Sequence, residues 1–262
     1  MKLSYLSVFI ILLSVYGCGA QPLQPTSDRT VSTTSDTDQD ARGRARIHTD
    51  LSVAYLEIRN LGVALEEAGI AQRADPSYAP AFNVAGLIHI ELKDDRMADE
   101  SFRQALRINP RDADTNNNYG TFLCQRKREA DGIKHFLLAI SDPLYQFPDR
   151  SFVNAGVCAR KRGDLADAEN YFRSAVKVRP NQVQALFQLA DLAYSTGKFP
   201  EARSHLAQLN QAARGSPEIL WLMLRTERRI GHSVNVDSLT HQLSTNFPQS
   251  KEAEALAAGK FD

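Results

Sequence analysis

Small, large and aromatic side chains recur along most of the chain in a fixed order. The stretch 79–112 places Phe82, Ala85, Gly86, His89, Ala98, Phe102, Ala105 and Pro110 at positions 4, 7, 8, 11, 20, 24, 27 and 32 of a unit. The stretch 149–182 repeats the order with Phe152, Ala155, Gly156, Ala159, Ala168, Phe172, Ala175 and Pro180. Within each unit the apolar positions fall at helical spacing in two runs, which predicts a pair of helices joined by a turn. Small residues at 8 and 20 let the two helices approach, and the aromatic at 24 fills the gap to the next helix. Proline at 32 ends the second helix and restricts the residue before it. Gly163 and Gly197, both at position 15, end the first helix with a positive φ. No competing strand pattern is present.

The register extends in both directions. Pro76 to Pro110 is 34 residues, and Pro180 to Pro248 is twice that. A period of 34 is the tetratricopeptide signature. Counted in this frame, six units occupy 45–78, 79–112, 113–148, 149–182, 183–216 and 217–250, the third carrying two extra residues. Residues 251–262 form a capping helix and tail. The expected fold is all-α, a right-handed tetratricopeptide superhelix whose first helices line a concave groove. Helices this short are marginal alone, so stacking supplies the stability.

The N-terminus reads differently. Lys2 precedes an apolar run over 3–16, too short for a membrane-spanning helix and suited to a signal peptide. Val15-Tyr16-Gly17-Cys18 resembles a bacterial lipobox, which implies cleavage after residue 17 and lipidation of Cys18. Several acyl chains make such anchoring stable. Gly19 in the following position implies sorting to the outer membrane. Residues 18–44 then form a lipidated flexible linker, rich in Pro, Ser, Thr and Asp over 21–40. The run Asp36-x-Asp38-x-Asp40 has Ala41 and Ile47 where a calcium loop needs Gly and Glu, so no metal is expected.

Composition removes other classes. Thirty-one basic residues balance 31 acidic ones, which argues against nucleic acid as a partner. The six histidines are scattered, and neither a phosphate-binding glycine loop nor a nucleophile elbow occurs. No enzymatic activity, cofactor or small-molecule substrate is expected. Besides Cys18, two cysteines remain, Cys124 and Cys158, in neighbouring units. An oxidising compartment permits their pairing. Neighbouring equivalent helices rarely bring Cα atoms within about 7 Å, so free buried thiols are expected.

The groove is then the candidate site. Inward positions of the first two units are Thr49, Val53, Leu56, Asn83, Leu87 and Ile90, an apolar strip with polar edges suited to an amphipathic or extended peptide. The third unit adds Asn117, Thr121 and Gln125. The last offers Trp221, Arg225, Arg228 and Arg229, residue types that dominate binding hot spots, although the arginines equally suit a solvated capping face.

Three further runs carry a closer resemblance: Asn117-Asn118-Tyr119-Gly120-Thr121-Phe122-Leu123-Cys124, Ser141-Asp142-Pro143-Leu144-Tyr145 and Asn154-Ala155-Gly156-Val157-Cys158. With the lipobox and the tail Phe247-Pro248-Gln249-Ser250-Lys251-Glu252, they resemble the type IV pilus biogenesis lipoproteins of the PilF/PilW family, the pilotins of the pilus secretin. That resemblance implies an outer-membrane lipoprotein that escorts the secretin subunit and supports ring assembly, with the contact in the early repeats. A general periplasmic scaffold lipoprotein, for outer-membrane protein assembly or polysaccharide export, is the alternative.

Overall fold

The computed structural model describes residues 33–213 and 215–261. The expected signal peptide, Cys18 and the first part of the linker lie outside these residues. Thirteen helices follow one another among the described residues: α1 Thr33–Glu57, α2 Leu61–Ala74, α3 Ala79–Glu91, α4 Asp95–Ile108, α5 Ala113–Gln125, α6 Glu129–Ile140, α7 Pro148–Arg162, α8 Leu165–Val178, α9 Val183–Ser195, α10 Phe199–Ala212, α11 Pro217–Ile230, α12 Ser233–Asn246 and α13 Lys251–Ala257. Those from Asp40 onward belong to one unit. Each repeat unit is one helical hairpin, α1/α2 through α11/α12, and α13 follows as the cap. No strand occurs among the described residues. This is an all-α tetratricopeptide solenoid.

Local chemistry sets the boundaries. The side chain of Asp94 accepts from the Met97 N–H at 3.0 Å, and that of Asp112 from Thr115 at 2.7 Å, satisfying amides that open α4 and α5. At the other end, Asp75, Asn109 and Arg179 each precede a proline and each adopts extended backbone, which stops α2, α4 and α8. The first helices end on one left-handed residue. Gly163 and Gly197 have φ of 92° and 78°, as the sequence predicts. The same turn in the first three hairpins is made by Arg59, Lys93 and Lys127, at φ near 60°. The turn is conserved in shape even where glycine is absent.

Packing follows the small-residue rule. Phe102, Phe136 and Phe172 are essentially inaccessible, and each ring lies against the bare backbone of a glycine in its own hairpin. A Cβ on Gly86, Gly120 or Gly156 would come within 2.7, 2.9 or 2.5 Å of its nearest neighbour atom. In the third hairpin both close positions are glycine. Gly120 and Gly132 let α5 and α6 touch backbone to backbone, with a Cβ on Gly132 only 2.7 Å from the Gly120 carbonyl oxygen.

Two expectations are corrected here. Helix α1 begins at Thr33, inside the stretch read as flexible linker, and continues into the first hairpin without a break. Proline is confined to the start of that stretch, and nothing between Thr33 and Ala45 interrupts a helix. Second, Cys124 and Cys158 form a disulfide, with Cα atoms 5.8 Å apart. The first helices α5 and α7 pack side by side, and Cys124 and Cys158 stand on the two faces that meet at that junction. Both cysteines are buried.

Candidate functional site: the face of the first helices

The first helices of the early hairpins share one face. A cavity of about 410 Å³ opens on it, lined by Leu56, Glu57 and Arg59 from the end of α1, Leu87, Ile90 and Glu91 from α3, and Asn118, Thr121 and Gln125 from α5. It is apolar at the centre and polar at the rim. Leu56, Leu87, Ile90 and Thr121, which the repeat frame places on the groove, are thus brought together. Leu56 rests on the Ala64–Ala68 cluster, and Leu87 and Ile90 on the cluster around Phe102 and Tyr119, so their inner halves are packed and their outer halves open. Arg59 and Glu91 form an ion pair between the first two hairpins at the rim. Exposed pairs of this kind contribute little to stability.

A second, smaller cavity continues the strip into the fourth hairpin. About 110 Å³ in volume, it is lined by Thr121, Cys124, Gln125 and Phe136 and by Asn154, Val157 and Lys161 of α7. Thr121 and Gln125 belong to both cavities, which makes the strip continuous from α1 to α7. The disulfide therefore lies under the groove, and it fixes the spacing of the two helices that form this end.

Asparagines align the helices along the strip. The Asn118 amide donates to Asn83 Oδ1 at 3.1 Å, joining α3 to α5. The Asn154 amide donates to Asn117 Oδ1 at 3.0 Å, and Ser151 donates to the same oxygen at 2.9 Å, joining α5 to α7. Asn83 and Asn117 thus act first as spacers of the groove. Their bonds set how far apart the apolar anchors sit.

The remaining expected residues divide. Val53 is 37% exposed and lies one turn before Glu57 on α1, outside the cavity lining but on its side of the helix. Thr49 is not a groove residue. It is 5% exposed, and its hydroxyl donates to the Ala45 carbonyl at 2.8 Å. Ala45, Thr49 and Ser52 form the buried stripe of α1, and Ser52 reaches across to the Ala64 carbonyl on α2 at 2.7 Å. Position 5 is buried again in α7, where Val153 is 1% exposed, so this position sits at the inner edge of the face and Leu56 and Glu57, farther along α1, carry the groove. Trp221 and Arg225 sit on α11, far along the chain from the early cavities, and contact the tail at Phe261. The sequence reading did not extend to Asn118, Asn154, Val157 or Lys161. The last two occupy repeat positions 9 and 13 in α7, equivalent to Thr121 and Gln125 in α5, so the same rule finds them.

A cavity of about 480 Å³ lies elsewhere, between α4, α5 and α6, with Arg103, Arg107, Arg128, Lys134 and His135 on its wall. Its charges are largely matched. Arg103 and Arg128 reach Asp99 at 2.8 and 3.5 Å, and Arg128 and Lys134 reach Asp131 at 3.1 and 3.6 Å. Desolvation lowers the His135 pKa, and its Nδ1 lies 2.8 Å from the Asn116 side-chain oxygen. This arrangement braces hairpins two and three.

Comparison with known proteins agrees with this architecture. Tetratricopeptide-repeat models match residues 79–112 and 159–226. The chain is 28% identical over 257 residues to the type IV pilus assembly protein PilF of Pseudomonas aeruginosa, covering 97% of both. The crystal structure of PilW, a widely conserved type IV pilus biogenesis factor, superposes with a TM-score of 0.73 at 30% identity, over 81% of this chain and 98% of that one. The chain belongs to the PilW family of tetratricopeptide type IV pilus biogenesis factors. The structure of Pseudomonas aeruginosa PilF aligns equally well, with a TM-score of 0.75 at 27% identity, covering 84% of this chain and all of the other. Members of this family are protein-interaction modules without enzymatic activity, in keeping with a site built from apolar anchors, amides and rim charges.

Proposed function

We propose that this chain is a pilotin: an outer-membrane lipoprotein, acylated at Cys18, whose early-repeat groove captures a subunit of the type IV pilus secretin and escorts it to the membrane. The observation that carries the reading is the strip formed by Leu56, Leu87, Ile90 and Thr121, an apolar floor with a polar rim that continues from α1 to α7. That pattern suits an amphipathic helix or an extended segment laid across the hairpins. Membership of a pilus biogenesis family supplies the context, and the lipobox-like sequence ending at Cys18 supplies the anchor. The mechanism is linkage. Acyl chains give the complex a bilayer affinity that the bound subunit lacks alone. The alternative of a general envelope scaffold differs only in partner.

Two substitutions test this. Leu87→Glu puts a charge on the half-open anchor and is expected to abolish co-purification of the secretin subunit while helical circular dichroism is retained. Loss of the helical signal would mean that Leu87 is core. Cys18→Ala is expected to leave the fold intact and move both proteins off the outer membrane. Secretin multimers unchanged in the outer-membrane fraction would refute the escort role.

A further inference from the structure

The last hairpin holds part of its own chain. Helix α13 ends at Ala257, and two residues on Gly259, with φ of 65°, reverses the backbone, the Lys260 N–H bonding to the Ala255 carbonyl at 2.9 Å. The reversal carries Phe261 back onto α11. There its ring stacks on Trp221, with centroids 5.5 Å apart and planes 21° from parallel. The guanidinium of Arg228 lies 3.7 Å from the same ring centroid. Arg225 Nε donates to the Phe261 carbonyl at 2.8 Å. Arg225 is itself held from behind, 4.5 Å over the Tyr194 ring on α9. An indole and a guanidinium thus grip one aromatic side chain, while a second, pre-positioned guanidinium reads the peptide carbonyl beside it.

Among the described residues, the charge of this face is unbalanced. Among the described residues, no carboxylate lies within ion-pair distance of Arg225, Arg228 or Arg229, whereas most arginines of the earlier hairpins are so paired. Arg228 and Arg229 are exposed. Guanidinium groups on aromatic faces, with their donor forks left free, suit carboxylates. An aromatic clamp surrounded by unpaired arginines is complementary to an aromatic residue flanked by acidic ones.

We propose that α11 carries a second polypeptide-binding site, for a partner segment with an aromatic residue flanked by carboxylates, and that Phe261 is its resident, displaceable occupant. The tail contributes an aromatic ring and a carbonyl, and the next residue in its sequence is an aspartate, Asp262, which lies outside the described residues. A partner contributes the same two groups with carboxylates on both sides of the aromatic for Arg228 and Arg229. Occupancy by the tail lowers apparent affinity by the fraction of molecules in which the clamp is open. The inference is independent of the partner held in the early groove.

Trp221 is the single tryptophan, so its fluorescence reports on the clamp directly. The probe is the acetylated, amidated peptide Asp-Asp-Phe-Asp-Asp, titrated into the purified protein. Controls replace its Phe with Ala, or its four Asp with Asn. The expected result is a saturable change in Trp221 emission with the acidic aromatic peptide and none with either control. In Phe261→Ala the emission of the free protein shifts to longer wavelength and the peptide binds about tenfold more tightly, as for a site freed from a roughly 90% closed state. Arg228→Gln, which leaves the Trp221 stack in place, weakens binding of the acidic peptide and not the emission of the free protein. Equal affinity in wild type and Phe261→Ala would overturn the displacement, and equal binding of the Asn control would overturn the acidic partner. Absence of a saturable change in Phe261→Ala, with helical circular dichroism intact, would overturn the site itself.

Discussion

Gly132→Ala tests the backbone-to-backbone contact between α5 and α6. The added Cβ would stand 2.7 Å from the Gly120 carbonyl oxygen and 3.2 Å from the Cys124 nitrogen. Both are backbone atoms of α5, so no side-chain rotation relieves the contact, and α6 must move away by roughly 0.7 Å. Alanine gains about 1 kcal/mol of helix propensity over glycine. Overpacking a close-fitting interior costs about 1–3 kcal/mol, and the upper part of that range applies because the obstruction is main chain. The net expectation is a loss of about 1–2 kcal/mol, or a melting point lower by roughly 2–8 °C for a domain of this size. Gly43→Ala is the control. Nothing lies within 4 Å of its Cβ position, so the propensity gain appears alone. Thermal unfolding followed by circular dichroism, on oxidised protein, compares the two. A Gly132→Ala protein that melts at or above wild type would refute the backbone contact.

Three other outcomes are expected. Reducing the Cys124–Cys158 bond, or replacing both cysteines with serine, removes a cross-link that spans 34 residues and is expected to cost about 3–4 kcal/mol on chain entropy, read as a shift in denaturation midpoint. Lys93→Gly and Lys127→Gly relieve left-handed residues near φ 60° and are expected to stabilise by about 0.5–1 kcal/mol each, where an interior glycine ordinarily destabilises. Burial lowers the pKa of His89, His135 and His205, so the unfolded chain binds more protons as pH falls below about 6.5. Stability is therefore full above that value and is lost on acidification, and melting at about pH 7.5 and about pH 5.5 measures the loss. His89→Leu, which also removes a buried Nδ1 without a partner, is expected to flatten that dependence; an unchanged slope would refute its share.

The hairpin boundaries were readable because they rest on local chemistry. Prolines 76, 110, 180 and 248 fix the register, and Gly163 and Gly197 fix the turns. The stacking of Phe102, Phe136 and Phe172 on glycine also follows from spacing within one unit. What escaped depends on distances between units. The 5.8 Å approach of Cys124 and Cys158 is a distance between two hairpins, which no single-unit rule expresses. Thr49 was misplaced because position 5 lies at the inner edge of the face, where whether a side chain is covered, as for Thr49 and Val153, depends on packing against neighbouring elements. Arg59, Lys93 and Lys127 hide a glycine-like turn behind charged side chains. The fate of Phe261 was invisible for a different reason: its contacts with Trp221 and Arg225 span some 36 to 40 residues and belong to no repeat.

The covalent link between the third and fourth hairpins gives the solenoid uneven elasticity. Repeat arrays stretch and bend by small separations at every junction, since each unit touches only its neighbours. Here one junction is welded and the others are held by side chains alone. A load drawn along the array is taken up by the outer coils, while the segment from α5 to α7 keeps its curvature, like a spring with a single brazed turn.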